Sequence, residues 1–190
     1  MNMINALLFT FLLVIGGCGG GTTTGNPVTP VELRMEDKQP FAWIKKSLDA
    51  LIPPAYAAVG NVKFCFKRLR MKPDSATEGS NLDLTLGEMT INPAGTNLLT
   101  ISVPPGVYQR IEFDLESDCD GTAGKPSVSF SNNNGSFSTV DHTTIKFNGF
   151  YEVSSAGTLT LDIDKLFDAL ELVTADSQIK TGLEAAPGDF

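Results

Sequence analysis

The stretch NVKFCFK at residues 61–67 sets the fold class of this chain. Val62, Phe64 and Phe66 alternate in it with lysines and with Cys65. A two-residue period of apolar side chains is typical of a β-strand that buries one of its faces. We therefore predict a strand here that turns its phenylalanines towards a core and carries Cys65 on the opposite face.

Alternating runs of the same kind continue along the chain, and turns separate them. They cover residues 82–91, 98–103, 107–115, 127–131, 137–140, 143–153 and 157–163. In the run 107–115, the alternation places Val107, Ile111 and Phe113 towards the core and Tyr108 away from it. Short strands spaced by turns indicate a mainly β protein, and we predict an antiparallel β-sandwich of about seven or eight strands.

Two short helices flank the predicted sandwich. Apolar residues from Phe41 to Leu51 recur at helical spacing, which predicts a helix over 40–51. A similar stripe predicts a helix over 165–173 near the C-terminus, which Asp162 or Asp164 can cap. The predicted units are a helix and proline-rich linker over 40–58, the β-sandwich domain over 59–175, and a loose tail over 176–190.

The N-terminal segment is apolar and short. Residues 1–17 carry no charged side chain, and the run from Ala6 ends on Gly16-Gly17-Cys18. The run is well short of the roughly 20 residues that span a bilayer. It resembles the signal peptide of a bacterial lipoprotein, with Ile15, Gly16, Gly17 and Cys18 as the lipobox. Ordinary secretion and a single membrane span are the alternatives.

This resemblance implies a lipid anchor on Cys18. In lipoproteins of this type the signal peptide, here residues 1–17, is removed and the cysteine sulfur receives diacylglycerol. Acyl chains such as palmitate then hold the protein in the membrane. Residues 18–39 would form a flexible tether, because glycine and threonine dominate their start. Gly19 stands where an aspartate would favour the inner membrane, so the resemblance implies the outer membrane of the cell envelope, on its periplasmic or its surface face.

The sequence also contains a possible second cleavage site, which would give the mature chain a different start. Lys45 and Lys46, a weakly apolar patch and the run Ala55-Tyr56-Ala57 resemble a second cleavage site. Asp49 interrupts the patch, and a helix that packs on the domain or on the membrane surface is the simpler interpretation.

The chain contains three cysteines. With Cys18 assigned to lipid, Cys65 and Cys119 remain as a pair in an exported protein, where a disulfide is more common than two free thiols. Chain entropy predicts that closing this loop stabilises the fold by about 4 kcal/mol. A redox or metal pair finds no support, because no CxxC occurs and His142 is the only histidine.

The formal net charge is −8 at pH 7. Such an acidic chain argues against nucleic acid and against anionic lipid headgroups as partners. One basic stripe stands out, over residues 68–72, which read RLRMK. It is either an anion site or the solvated face of an edge strand, where lysine discourages aggregation between strands.

Candidate reactive side chains are few. Asp118 and Asp120 begin a run like a calcium loop, but it lacks the glycine and glutamate of an EF-hand, so the choice is between a solvated acidic loop and a looser calcium site. Asp162 and Asp164 share one face of a strand and could act as acid and base, although helix capping is the simpler interpretation. His142 has no G-x-S-x-G partner, which favours a loop role over a catalytic triad.

Three loose motifs in the C-terminal half carry a second resemblance. They are VPPGVY at 103–108, TIKF at 144–147 and GTLTLDID at 157–164. Their order resembles an uncharacterised transthyretin-like β-sandwich domain of bacterial lipoproteins. That family has no established activity, so the resemblance carries over no catalytic residue.

We predict a non-enzymatic, lipid-anchored protein of the bacterial cell envelope. Its β-sandwich would contact a protein or glycan partner, and the membrane would be a partner through the acyl groups. We expect no nucleic acid partner and no cofactor, with calcium as the exception to test. The alternative is a calcium- or small-ligand-binding module that uses the loops 118–121 and 132–135.

Overall fold

The computed structural model describes residues 28–38, 59–73, 80–82 and 86–190 of the chain. The predicted signal peptide, the lipobox residues Ile15, Gly16 and Gly17, the lipidated Cys18 and the helix over 40–51 lie outside the described residues. These predictions therefore rest on the sequence.

Strands dominate the described part of the chain, and the prediction of a mainly β protein is confirmed. The strands are β1 (Thr29–Glu36), β2 (Gly60–Lys72), β3 (Ser80–Leu82), β4 (Gly87–Thr90), β5 (Thr96–Val103), β6 (Gly106–Leu115), β7 (Val128–Asn132), β8 (Gly135–Thr139), β9 (Thr143–Val153), β10 (Gly157–Asp162) and β11 (Gly188–Asp189). The helices are α1 (Asp164–Glu171) and α2 (Ile179–Ala185), and short 3₁₀ turns lie at Cys119–Gly121 and Asp176–Gln178.

The strands form one curled, mixed sheet. Its order is β5-β1-β10-β11-β9-β6-β2-β7-β8, and β3 and β4 also pair with β2. Most neighbours are antiparallel, but β1 runs parallel to β10 and β11 runs parallel to β9. The predicted plain antiparallel sandwich is therefore wrong. The two strands that make the sheet mixed come from outside the predicted domain boundaries, so the alternation within residues 59–175 could not reveal them.

β1 lies inside the segment that we predicted as a flexible tether, residues 18–39. Its side chains Val31, Leu33 and Met35 are fully buried, and β1 pairs with β5 on one edge and with β10 on the other. The tether prediction is wrong for this part of the segment. Val31, Leu33 and Met35 occupy every second position, a signal for a strand that the tether prediction overlooked.

The C-terminal segment, residues 176–190, is not a loose tail. Ile179 and Leu183 lie four residues apart on α2 and are buried in the core. β11 then fits between β9 and β10. A Cβ atom on Gly188 would lie 2.4 Å from the carbonyl oxygen of Asp162 and 2.5 Å from the ring of Phe147, so only glycine fits at this position.

The core contains a chain of phenylalanine rings that crosses three neighbouring strands. The ring centroids of Phe64 and Phe66 on β2 are 5.9 Å apart, and those of Phe66 and Phe113 on β6 are 5.3 Å apart. Phe147 on β9 follows at 6.0 Å from Phe113. All three contacts are edge-to-face, the geometry that the ring quadrupole favours. The prediction that the phenylalanines of residues 61–67 face the core is confirmed.

The first residues of β6 have the opposite orientation from the predicted one. Tyr108 is buried and donates a hydrogen bond to the carbonyl oxygen of Pro104 at 2.9 Å, whereas Val107 is 36% exposed. The pairing of β6 with β9 shifts register between Tyr108 and Arg110, and this bulge inverts the alternation. From Ile111 onward the predicted alternation is correct, because Ile111 and Phe113 are fully buried.

α1 is the helix that we predicted near the C-terminus. It turns Leu166 and Leu170 into the core, and the carboxylate of Asp162 accepts the N–H of Asp164 at its start. At its end, the amide of Asn132 donates hydrogen bonds to the carbonyl oxygens of Leu170 and Val173, each at 2.9 Å. The β7–β8 turn therefore caps this helix, which ties it to the far end of the sheet.

Candidate functional site

β2 is a central strand of the sheet and not an edge strand. Its C-terminal half pairs with both β6 and β3, so that Arg70 lies opposite Glu112 on one side and Asn81 on the other. Its N-terminal half pairs with both β7 and β4. The interpretation of residues 68–72 as the solvated face of an edge strand is therefore wrong. Their cations instead pair with carboxylates on β6.

Seven charged side chains cover the outer face of β2, β6 and β9, opposite the phenylalanine rings. We call this surface the charged face. β2 contributes three cations, β6 one cation and two carboxylates, and β9 one cation. The members of the charged face are Arg68, Arg70, Lys72, Arg110, Glu112, Asp114 and Lys146.

Glu112 is the centre of one half of the charged face. It is 3% exposed, and three cations surround its carboxylate. Arg110 Nη1 donates to Oε1 at 3.2 Å, and Lys72 Nζ lies 3.3 Å from Oε2. Arg70 Nε also lies 3.3 Å from Oε2, without the alignment of a hydrogen bond. The buried carboxylate is thus charge-compensated from three directions, as a buried charge requires.

Asp114 is the centre of the other half and is 2% exposed. Arg70 Nη2 donates to its Oδ1 at 2.6 Å, and the hydroxyl of Thr144 donates to the same oxygen at 2.9 Å. Arg68 Nη1 lies 3.7 Å from Oδ2, and the Nε2 atom of His142 lies 3.7 Å from Oδ1. Arg70 therefore bridges the two carboxylates and joins both halves into one network.

Cations outnumber carboxylates on the charged face. Lys146 lies directly opposite Glu112 in the β6–β9 pairing, yet it has no ion-pair contact within the part of the chain that the structure describes. The side chain of Arg68 is 42% exposed, while both carboxylates are almost completely covered. The surface that a partner meets is therefore positive, although the chain as a whole carries a net charge of −8.

Arg110, Glu112 and Asp114 belong to the charged face although no motif indicated them. Their signal lies in two alternating runs, RLRMK at 68–72 and RIEFD at 110–114. Each run turns its charges to one face, and the two runs carry mostly opposite charges. Complementary stripes of this kind favour cross-strand neighbours. The pairing could have been predicted from the sequence, but its register could not.

The structure contains the predicted disulfide between Cys65 and Cys119, with the Cα atoms 5.8 Å apart. Cys65 lies where β2 changes neighbours, because its carbonyl oxygen accepts the N–H of Glu116 and its own N–H donates to the carbonyl oxygen of Ser127. The bridge therefore fixes the loop after β6 to the middle of β2. Both sulfur-bearing side chains are buried, Cys65 at 1% exposure and Cys119 at 6%.

The predicted calcium residues lie in this loop, and protein donors already engage them. Gly124 N–H donates to Asp118 Oδ1 at 2.6 Å, and Lys125 Nζ donates to Asp120 Oδ2 at 2.9 Å. The hydrogen bond from Lys125 lowers the pKa of Asp120, and the same bond raises the pKa of Lys125. Within the residues that the structure describes, no group of three or more His, Cys, Asp or Glu side chains is placed to hold a metal ion.

The other predicted reactive residues are not brought together. Asp162 Oδ1 accepts the backbone N–H groups of Lys38 and of Asp164, the first residue of α1, while Ile163 holds the N-cap position. His142 contacts Asp114, but the neighbouring hydroxyl, that of Thr144, donates to the carboxylate and not to the imidazole. A catalytic triad needs the imidazole between the acid and the hydroxyl, and this arrangement differs from it.

Two concave regions lie away from the charged face. A groove of about 510 Å³ between α1 and α2 is lined by small and apolar side chains, and Leu172 beside it is 79% exposed. A concavity of about 410 Å³ lies beside the β7–β8 hairpin and is lined mainly by serines and Lys63. Neither includes Asp118 or Asp120, so neither supports the predicted ligand loop.

Comparisons with family models, curated proteins and solved structures find no match for this chain. The resemblance to lipoproteins and to transthyretin-like domains therefore stays a prediction. Of the helices in the described residues, none has the length and apolar character that crossing a membrane requires.

Proposed function

We propose that this protein is a lipoprotein of the bacterial cell envelope, anchored in the outer membrane by acyl groups on Cys18, and that its β domain makes non-catalytic contact with a protein or glycan partner. The lipobox at residues 15–18 supports the anchor. The Cys65–Cys119 disulfide supports an exported protein, because disulfides persist in oxidising compartments outside the cytoplasm.

The charged face is the observation that carries the proposed contact. Its side chains stand on three neighbouring central strands, and the buried carboxylates Glu112 and Asp114 hold Arg70 and Arg110 in position. A partner therefore meets cations that are already ordered, which lowers the entropy cost of binding. The face is separate from both grooves, and a sheet surface of this kind suits contact with an extended partner.

The position of β1 supports a mature chain that begins before residue 29. Cleavage after Ala57 would remove β1 and leave the facing edges of β5 and β10 without their backbone partners. Unpaired backbone groups at a buried position are costly. A start at Cys18 keeps the whole sheet, and we therefore prefer it to the second cleavage site.

The anchor is tested by the unreduced intact mass of the protein extracted from membranes of its native host. We expect a chain that begins at Cys18, carries acyl groups and lacks two hydrogens because of the disulfide. The matched control is Cys18→Ser, which should leave the membrane fraction. An unlipidated chain that begins elsewhere would contradict the proposed anchor.

The contact is tested by cross-linking in the intact envelope. A photoreactive residue replaces Lys146 on the charged face or, as the control, Lys165 on α1. We expect cross-linked products from position 146 and far fewer from position 165. Equal yields from both positions would mean that the charged face is not the contact surface, and no product from either would contradict a contact function.

A further inference from the structure

The cations of the charged face form a regular row along β2. Arg68, Arg70 and Lys72 occupy every second position, so they point to the same side of the sheet at intervals of about 6.6 Å. Arg110 and Lys146 lie on the next two strands, which follow at about 4.8 Å each. The row therefore follows the course of β2, and further positive charge broadens it on one side.

The two carboxylates offset only part of the positive charge that an approaching ligand meets, because five cations of the charged face stand against two carboxylates. Glu112 and Asp114 lie beneath the cationic groups and are almost completely covered, while Arg68 keeps 42% of its side chain exposed. The carboxylates orient the arginine planes, as the 2.6 Å contact between Arg70 and Asp114 indicates. An oriented guanidinium presents its remaining N–H groups in a fixed fork, which fits planar carboxylates.

We propose that the charged face binds a linear acidic glycan of the uronate type, a polymer whose carboxylates recur along an extended chain. This inference rests on the proposed function, since it names the partner of the same surface. A narrow polymer lying along β2 meets the cations of the charged face, while Glu112 and Asp114 are almost completely covered. A membrane or a folded acidic protein covers a wider area and also meets the surrounding surface of a chain whose net charge is −8, which repels it.

The test measures binding of the detergent-solubilised full-length protein to an oligogalacturonate. The matched control ligand is the same oligosaccharide with its carboxyl groups reduced to alcohols. We expect binding of the acidic form, loss of that binding at high salt because exposed charges are screened, and no binding of the reduced form. Equal binding of both forms, or binding of neither, overturns the proposal.

Two variants test whether the oligogalacturonate binds to the charged face. The first variant combines Arg68→Gln with Lys146→Gln. The contact of Arg68 with Asp114 is long and Lys146 makes no ion pair with either carboxylate, so we expect the fold to be kept. An unchanged melting temperature would confirm this. We expect the affinity to fall about fivefold or more. Lys165→Gln, an exposed cation on α1, should leave the affinity unchanged. Equal losses for the two variants would overturn the proposal.

Two competing ligands separate the partner classes. Vesicles rich in phosphatidylglycerol represent an anionic membrane, and poly-glutamate represents an acidic protein. Tighter binding to either than to oligogalacturonate overturns the glycan proposal. If envelope cross-links from position 146 persist while oligogalacturonate fails to bind, the glycan proposal falls and the proposed contact function stands.

Discussion

The phenylalanines on the inner face of β2, β6 and β9 and the two carboxylates on the outer face are almost equally buried, but different forces hold them. On the inner face, Phe113 and Phe147 are fully buried against apolar neighbours. On the outer face, Glu112 and Asp114 are 3% and 2% exposed and lie among cations. Burial by itself therefore does not say what stabilises a strand. Apolar burial stabilises in proportion to area, whereas a buried charge is tolerated only while its partners are present.

The largest expected effect comes from breaking the inner face. Phe113→Ala removes the ring that joins Phe66 to Phe147, and we expect it to lower the free energy of unfolding by about 3–5 kcal/mol. Denaturant unfolding measures the change. Phe150→Ala on β9 is the control, because that ring is 69% exposed and its loss should cost less than about 0.5 kcal/mol. If both variants lose a similar free energy of unfolding, the chain of phenylalanine rings does not form the core.

Removing the Cys65–Cys119 disulfide tests whether the outer face also depends on a covalent link. Cys65 faces the side opposite the phenylalanines, and its bridge closes a loop with a sequence separation of 54 residues. We expect the double variant Cys65→Ser with Cys119→Ser to lose about 2–4 kcal/mol. Reduction of the parent protein should cause a comparable loss. If the double variant has the same melting temperature as the parent, the disulfide does not stabilise the fold.

A smaller effect tests the ion pairs of the outer face. Asp114→Asn keeps the size of the side chain but removes the charge that Arg70 and Arg68 face. Since both arginines retain some contact with water, we expect a loss of about 2 kcal/mol. Asp141→Asn is the control, because Asp141 is an exposed aspartate next to His142 in the sequence. If the two variants unfold at the same denaturant concentration, the carboxylates on β6 are not structural.

The smallest expected effect concerns an exposed ion pair, for contrast with the buried ones. Lys125→Met removes the hydrogen bond that lowers the pKa of Asp120, so this pKa should rise towards its ordinary value in an NMR titration. Because the folded-state pKa is below the unfolded one, the pair stabilises the fold above the ordinary aspartate pKa. That stabilisation is lost as the pH falls through the lowered pKa. An unchanged pKa would mean that Lys125 does not hold Asp120 in solution.

Local alternation predicted most strands correctly, because one buried face imposes a two-residue period. The exceptions have specific physical causes. The bulge before Arg110 inverts the orientation of Tyr108, and a single added residue leaves no clear mark in composition. β11 is two residues long, too short for any period, and the tight space around Gly188 explains only why glycine stands there.

The charged face was only partly predictable. The run at 68–72 indicated an anion site as one of two interpretations, and the structure removes the edge-strand alternative. The depth at which Glu112 and Asp114 lie could not be predicted, since it depends on which strands flank β6. The Cys65–Cys119 pair was predictable because few cysteines were available to combine.

β1 has a mechanical consequence for a protein held at its N-terminal side. The strand lies between β5 and β10, and its backbone is paired on both edges from Val31 to Leu33 and beyond. A pull on the chain before Thr29 acts along the strand axis, so it loads both hydrogen-bond ladders in shear and not one bond at a time. If the proposed lipid anchor on Cys18 is present, the first strand would be the clamp through which tension on that anchor enters the domain.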